Sequence, residues 1–332
     1  MSRRRPLVIG HRGAPGYRPE HSLASYELAL DLGVDAVEPD VVFSKDGVAV
    51  IRHENEIGST TDVADHPEFA SRRVTKKVDG AEHTGWFVED FTWDELATLR
   101  CRERLPLLRA RSAAFDARHP IMRLRDLLDL VTAAGEREGR AIGVVLEVKH
   151  ATYFGSLGYD VAGLLATELR DAGWSSGGRP LVIESFEQRI LQRMRDRGIR
   201  ASYIYLLEAE GSAVDLVAAQ GAGAPTYADQ LTASGLDRLA REVDGISLDK
   251  RIVLEDPGIV ADAHRRGLHV YTWTCRPENA FLSPEFQRGP DAASFGDWEG
   301  EWQRIADAGV DGVFVDHPDL GVAFFGRSGT DR

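Results

Sequence analysis

One arrangement of apolar and polar residues recurs along the chain: an amphipathic helical stretch, then a glycine, then a short β-branched run. It appears as LASYELALDLG before VDAVEPDVV, ILQRMRDRG before IRASYIYLL, VADAHRRG before LHVYTWT, and WQRIADAG before VDGVFVD. Gly33, Gly198, Gly267 and Gly309 stand where a helix ends on a left-handed residue. Runs suited to parallel strands fall at 7–11, 36–42, 142–148, 181–185, 202–206, 245–248, 269–273 and 312–316. Strands alternating with helices in this number predict an α/β fold, a closed TIM (β/α)₈ barrel. An open sheet is the alternative, although no Gly-rich dinucleotide turn follows any strand.

Two places break the alternation. A further apolar run at 48–53 is separated from the second strand only by residues 44–47, too few for a parallel crossover, so it is expected to fold back as an antiparallel hairpin strand. Residues 54–125 carry scattered charge, Gly58, Pro67, Gly80, Gly85 and an aromatic cluster of Trp86, Phe87, Phe91 and Trp93, without a clean βα unit. An insertion of that length after a barrel strand is expected to form a lid subdomain over the site. A second, shorter excursion follows the seventh strand at 283–299. With no linker or low-complexity tract, residues 1–332 are read as a single domain.

Composition narrows the function. A net charge of -13 speaks against nucleic-acid binding, which needs a basic surface to release counterions. No run approaches the roughly 18 apolar residues of a membrane span, and no stable membrane association is expected. The start, MSRRRPLVIG, lacks a signal-peptide core, so a cytoplasmic location is expected. Cys101 and Cys275 are the only cysteines and read as buried, reduced thiols. Oligomeric state is not legible.

Chemistry enters through acids inside strands. In the second strand Val37, Pro39, Val41 and Phe43 alternate with Ala36, Glu38, Asp40 and Val42, so Glu38 and Asp40 are expected to face the barrel interior. A hairpin centred between Lys45 and Asp46 would set His53 beside Glu38. The stretch GVVLEVKH turns Val145, Glu147 and Lys149 inwards, and LVIGH ends in His11 with Arg12 next to it. One rim therefore gathers three acids, two histidines and two cations, where barrel enzymes hold their chemistry. Three oxygen ligands suit a hard divalent cation, Mg²⁺ or Ca²⁺. The bland alternative is a buried ion-pair network neutralised by Lys149 and Arg12.

The residues HRGAPGYRPEHS, VEPDVVFSKDGVAVIRHE, LEVK, ESF at 184–186, YTWT at 271–274 and GVDGVFVDHPD at 309–319 together resemble the glycerophosphodiester phosphodiesterase family. The order of motifs is kept across about 310 residues, and the insertion is similar to that of the longer bacterial members. The resemblance implies His11 and His53 as the acid–base pair and Glu38, Asp40 and Glu147 as ligands of one divalent cation. It further implies that Arg12 and Lys149 hold phosphate oxygens and that Phe186 and Trp273 line the pocket near the alcohol. Asp316 is read as a structural cap. The chain departs from the family pattern at His21 and Glu54.

The implied activity is metal-dependent hydrolysis of a small-molecule glycerophosphodiester to sn-glycerol 3-phosphate and an alcohol. Two alternatives remain: a phospholipase D-like hydrolase of lysophospholipids or sphingolipids, and a scaffold without catalysis.

Overall fold

The computed structural model describes residues 5–326. Residues 1–4 and 327–332, the two ends of the stretch expected as one domain and including the basic start, lie outside the described residues. The strands run, in chain order, β1 (Leu7–His11), β2 (Ala36–Glu38), β3 (Asp40–Phe43), β4 (Ala49–Ile51), β5 (Val74–Val78), β6 (Ala81–Gly85), β7 (Gly143–Val148), β8 (Leu181–Ser185), β9 (Ser202–Leu207), β10 (Gly245–Asp249), β11 (His269–Cys275) and β12 (Gly312–Val315).

The order β2-β1-β12-β11-β10-β9-β8-β7-β3-β4 closes on itself through a further β2–β7 pairing. The expected second strand is thus split at Pro39, which has no N–H to give to a ladder. Its two halves continue one staircase against β7, and with β1 and β7 to β12 they form a closed parallel barrel of eight staves. Gly33, Gly198, Gly267 and Gly309 all take positive φ, as the helix-ending pattern requires.

Side-chain alternation sorts the core into two shells. Ile9, Ala36, Val145, Ile204, Tyr271 and Phe314 pack together inside the barrel, with Val182 and Trp273 against them. Their neighbours Val8, Val37, Val144 and Val313 join the larger layer under the helices. The inward phase read for β2 and β7 is therefore the observed one.

The hairpin register differs from expectation. Val41 faces Ile51 and Val42 faces Val50, which centres the turn on Asp46, and the Arg52 N–H donates to the Asp40 carbonyl. Gly47 at φ 81 adds a residue to the turn, with Ser44 Oγ accepting from the Val48 N–H. His53 accordingly lies just beyond the paired residues, level with Pro39 and not with Glu38.

The excursion at 54–125 contains the antiparallel ribbon β5–β6 and several single-turn helices. Phe69, Phe87, Val88 and Phe91 are buried in it, and Phe69, Val88 and Phe91 make its apolar filling continuous with the barrel's outer layer. Both cysteines are buried and free.

Candidate active site

The parallel register builds the site. His11 pairs in register with Glu38, while Asp40 and Glu184 both lie in register with Glu147 from opposite sides of β7. Since adjacent strands are about 4.8 Å apart, these rungs bring acids and a histidine from four staves to one level at the C-terminal ends of the strands. A cavity of about 1120 Å³ opens there, lined by His11, Arg12, Glu38, His53, Glu147 and Lys149 among others.

Each histidine is held by a carboxylate. His11 Nδ1 lies 2.6 Å from Asp316 Oδ1, and Asp316 Oδ2 accepts from Arg109 Nη2 and Arg276 Nε, both at 2.6 Å. His53 Nδ1 lies 2.8 Å from Glu54 Oε1. Lys149 Nζ is 3.4 Å from His53 Nε2, a nitrogen that accepts when the ring proton sits on Nδ1. Burial first, then the charge of Arg12, pushes His11 down to about 4; burial with Arg12 and Lys149 pushes His53 down to about 3. Both rings are therefore neutral near pH 7.

Three carboxylates, Glu38, Glu147 and Glu184, each offer an oxygen within 4.8 Å of the others'. Glu38 Oε1 and Glu184 Oε2 are buried without a hydrogen-bond partner, and Glu147 Oε1 meets Lys149 Nζ at 2.9 Å. Burial and mutual repulsion raise Glu147 to about 8 and hold Glu38 and Glu184 well above the usual carboxylate range. Orphaned oxygens in a repelling, all-carboxylate cradle are what a hard divalent cation would satisfy.

Asp40 stands differently. Its Oδ2 is 2.9 Å from His21 Nε2 and 3.3 Å from Arg12 Nε, while Oδ1 faces Lys149 Nζ at 3.8 Å. Burial opposes its ionisation, yet His53, Lys149, His21 and Arg12 together hold it well below the ordinary range. Tyr26 lies 2.7 Å from the other ring nitrogen of His21. The departure from the family pattern at His21 thus provides the brace of Asp40, and the departure at Glu54 provides the partner of His53.

Cations surround the acids. Arg12, with a left-handed backbone at φ 56, donates its N–H to Glu38 Oε2 and its guanidinium to Glu20. That turn is possible because Gly13 follows at φ 91, where a Cβ would fall 2.6 Å from the Ser25 backbone. Arg104 of the insertion also reaches Glu20 and lines the cavity. Phe186 and Trp273 form an edge-to-face pair with centroids 5.6 Å apart on the cavity wall, and Lys149 Nζ lies 5.6 Å from the Phe186 ring centroid.

Sequence reasoning named Asp316 a cap; its observed role is to hold His11, and the helix that follows has no side-chain cap. It also passed over Glu184, Arg104, Arg109 and Arg276. Glu184 carried a readable signal, being an acid in phase with the inward Val182 of β8. The three arginines lie in irregular segments where no periodicity points anywhere.

The family description that matches residues 11–320 is the glycerophosphoryl diester phosphodiesterase family. A glycerophosphodiester phosphodiesterase of Arabidopsis thaliana is 28% identical, covering 94% of this chain and 84% of its own length. Another, from Treponema pallidum, is 24% identical over 97% and 92%. The solved structure of an Oleispira antarctica phosphodiesterase, in complex with the product sn-glycerol-3-phosphate, superposes with a TM-score of 0.65 at 20% identity over 97% of this chain and 98% of that one. With its family matched from the first barrel histidine almost to the end of the barrel, the chain belongs to the glycerophosphoryl diester phosphodiesterase family and is a phosphoric diester hydrolase.

Proposed function

We propose that this chain hydrolyses glycerophosphodiesters to sn-glycerol 3-phosphate and an alcohol, with His11 and His53 moving the protons and one divalent cation, Mg²⁺ or Ca²⁺, bound at the acids. The observation that carries the reading is the pair of imidazoles, each facing a carboxylate, beside a carboxylate cluster with unpartnered oxygens. Glu38 and Glu147 would hold the cation, with Glu184 as a third carboxylate and Asp40 adjoining through its Oδ1. A cation held there would supply positive charge to offset the negative charge of the phosphate.

The rest falls to side chains. Arg12 and Lys149 take up charge that grows on the phosphate as the bond to the alcohol breaks. Glu54 and Asp316 would each accept a hydrogen bond from a ring Nδ1–H and so leave Nε2 as the working nitrogen of His53 and His11. One Nε2 accepts the proton of the attacking oxygen; the other imidazole, protonated, gives its proton to the leaving alcohol. An anionic phosphodiester lying between the rings raises both depressed pKa values towards neutrality, where such exchange is efficient. Phe186 and Trp273 form the wall against which the alcohol rests.

The test is a panel of glycerophosphocholine, glycerophosphoethanolamine and lysophosphatidylcholine, assayed with Mg²⁺ and Ca²⁺ separately and after exhaustive chelation. Turnover of the glycerophosphodiesters that chelation abolishes is the expected result. Preference for the lysolipid would favour the phospholipase D-like reading, and activity surviving chelation would remove the cation.

A further inference from the structure

One half-buried histidine beside the site stands outside the reaction just described. His150 follows Lys149 in a left-handed conformation at φ 50 and offers no side-chain cap to the helix Ala151–Ser156 that it precedes. A non-glycine residue held in that region costs free energy, so something local must fix it there. Its Nδ1 lies 2.5 Å from Asp79 Oδ2, and its Nε2 lies 3.4 Å from Glu54 Oε2. The other oxygen of Glu54 is the partner of His53. A row of charge contacts therefore runs from Asp79 through His150 and Glu54 to a proton-transfer imidazole, the His150–Glu54 link being an ion pair without a hydrogen bond. Although burial opposes it, His150 is raised to about 9 by Asp79 and Glu54, so near pH 7 it is a cation between two carboxylates.

Asp79 belongs to the insertion. It and Gly80, at φ 49 and 92, are the two turn residues between β5 and β6, the Asp-Gly arrangement that tight hairpins favour. The ribbon is largely exposed, with Val78 its buried residue next to the tip, and a two-stranded ribbon by itself is marginal in water. The ribbon is anchored along β5 by Lys76, whose Nζ meets Glu89 and Asp90, and at its tip by the contact of Asp79 with His150.

We propose that Asp79 and His150 are positioning residues for His53: the docked hairpin clamps Glu54, which keeps the His53 proton on Nδ1 and turns Nε2 to the cavity. The inference rests on the reading of His53 as a proton-transfer group. From the same insertion Arg109 reaches His11 through Asp316, so both imidazoles are braced by one excursion of the chain.

The experiment uses the full chain with Asp79→Ala, Asp79→Asn, Asp79→Glu, His150→Ala and the Asp79→Ala, His150→Ala double. Turnover of glycerophosphocholine is measured together with the imidazole nitrogen chemical shifts of His53, which report its tautomer without catalysis. Asp79→Asn preserves the turn chemistry and separates loss of the carboxylate from loss of the hairpin. In Asp79→Ala, Asp79→Asn and His150→Ala, kcat should fall about 10- to 100-fold with KM little changed, the usual scale for supporting partners of a site. The double should be no worse than the worse single, Asp79→Glu should recover most of the rate, and His53 should pass from one tautomer to a mixture in the impaired variants. Wild-type kcat and an unchanged His53 tautomer in Asp79→Asn would overturn the proposal, as would losses that multiply in the double. If the wild type turns over no glycerophosphodiester, the functional reading fails, while the tautomer measurement still decides whether Asp79 positions His53.

Discussion

Asp316→Asn is the sharpest perturbation of the proton-transfer geometry. Asp316 is fully buried, with Oδ1 on His11 Nδ1 and Oδ2 shared by Arg109 and Arg276. Asparagine keeps only one acceptor oxygen, and two guanidinium donors claim it, so the amide nitrogen must face His11. Nδ1 then has to accept, and the ring proton moves to Nε2, the nitrogen that the reaction needs free. In the Asp–His pair of serine proteases the same swap lowers kcat about 10⁴-fold, and a loss of that order is expected here. Removing the charge also leaves the half-buried Arg276 without its carboxylate partner and Arg109 with Glu278 alone. Breaking a buried pair costs up to about 3–5 kcal/mol, which for a chain of 332 residues lowers the thermal midpoint by at most roughly 4–7 °C. The assay is glycerol 3-phosphate release at 25 °C, below the lowered midpoint, alongside thermal unfolding of both proteins. A variant that melts lower but turns over at the wild-type rate would refute the orienting role and return Asp316 to a structural part.

Other consequences are open to simpler measurements. Glu184→Gln should weaken Ca²⁺ and Mg²⁺ binding at least about tenfold by calorimetry, yet raise the melting temperature of the chelated protein, since it relieves repulsion with Glu147 and Asp40; unchanged cation affinity would exclude Glu184 from the cradle. His150 is raised from 6.5 to about 9 on folding, so its contribution, about 3 kcal/mol at most, is complete below pH 6.5 and is lost as pH rises through 9. Unfolding free energies of wild type and His150→Gln should converge across that window. His11 and His53 are lowered to about 4 and about 3, so with both rings neutral in the fold, stability should fall as pH drops below 6.5 and go on falling until about pH 3. A His11→Gln variant should show a shallower decline on acid titration followed by tryptophan fluorescence.

The barrel was legible because its signals are local. Inward and outward positions of β2 and β7 follow from alternation, and the four helix-ending glycines announce the βα units. What escaped depends on register and on irregular chain. Pro39 splits a strand that reads as continuous, and Gly47 lengthens the turn by one residue, so His53 arrives level with Pro39 instead of Glu38. That Asp40, Glu147 and Glu184 share a rung is fixed by stagger between staves distant in sequence, which no single segment encodes. The partners of the two histidines escaped for a related reason. Glu54 adjoins His53 and could be suspected, but Asp79 and Arg109 come from the insertion, whose path depends on packing of Phe69 and Phe91, and Arg276 from the loop after β11.

The central claim is that His11 and His53 carry protons for phosphodiester cleavage at the acid-lined rim. It is tested most directly by quantifying sn-glycerol 3-phosphate from glycerophosphocholine, in saturating Mg²⁺ or Ca²⁺, for wild type, His11→Ala and His53→Ala. The wild type should release glycerol 3-phosphate and choline in equal amounts, and each variant should release neither above background while keeping its fold and its cation affinity. Near wild-type release by either folded variant would contradict the account.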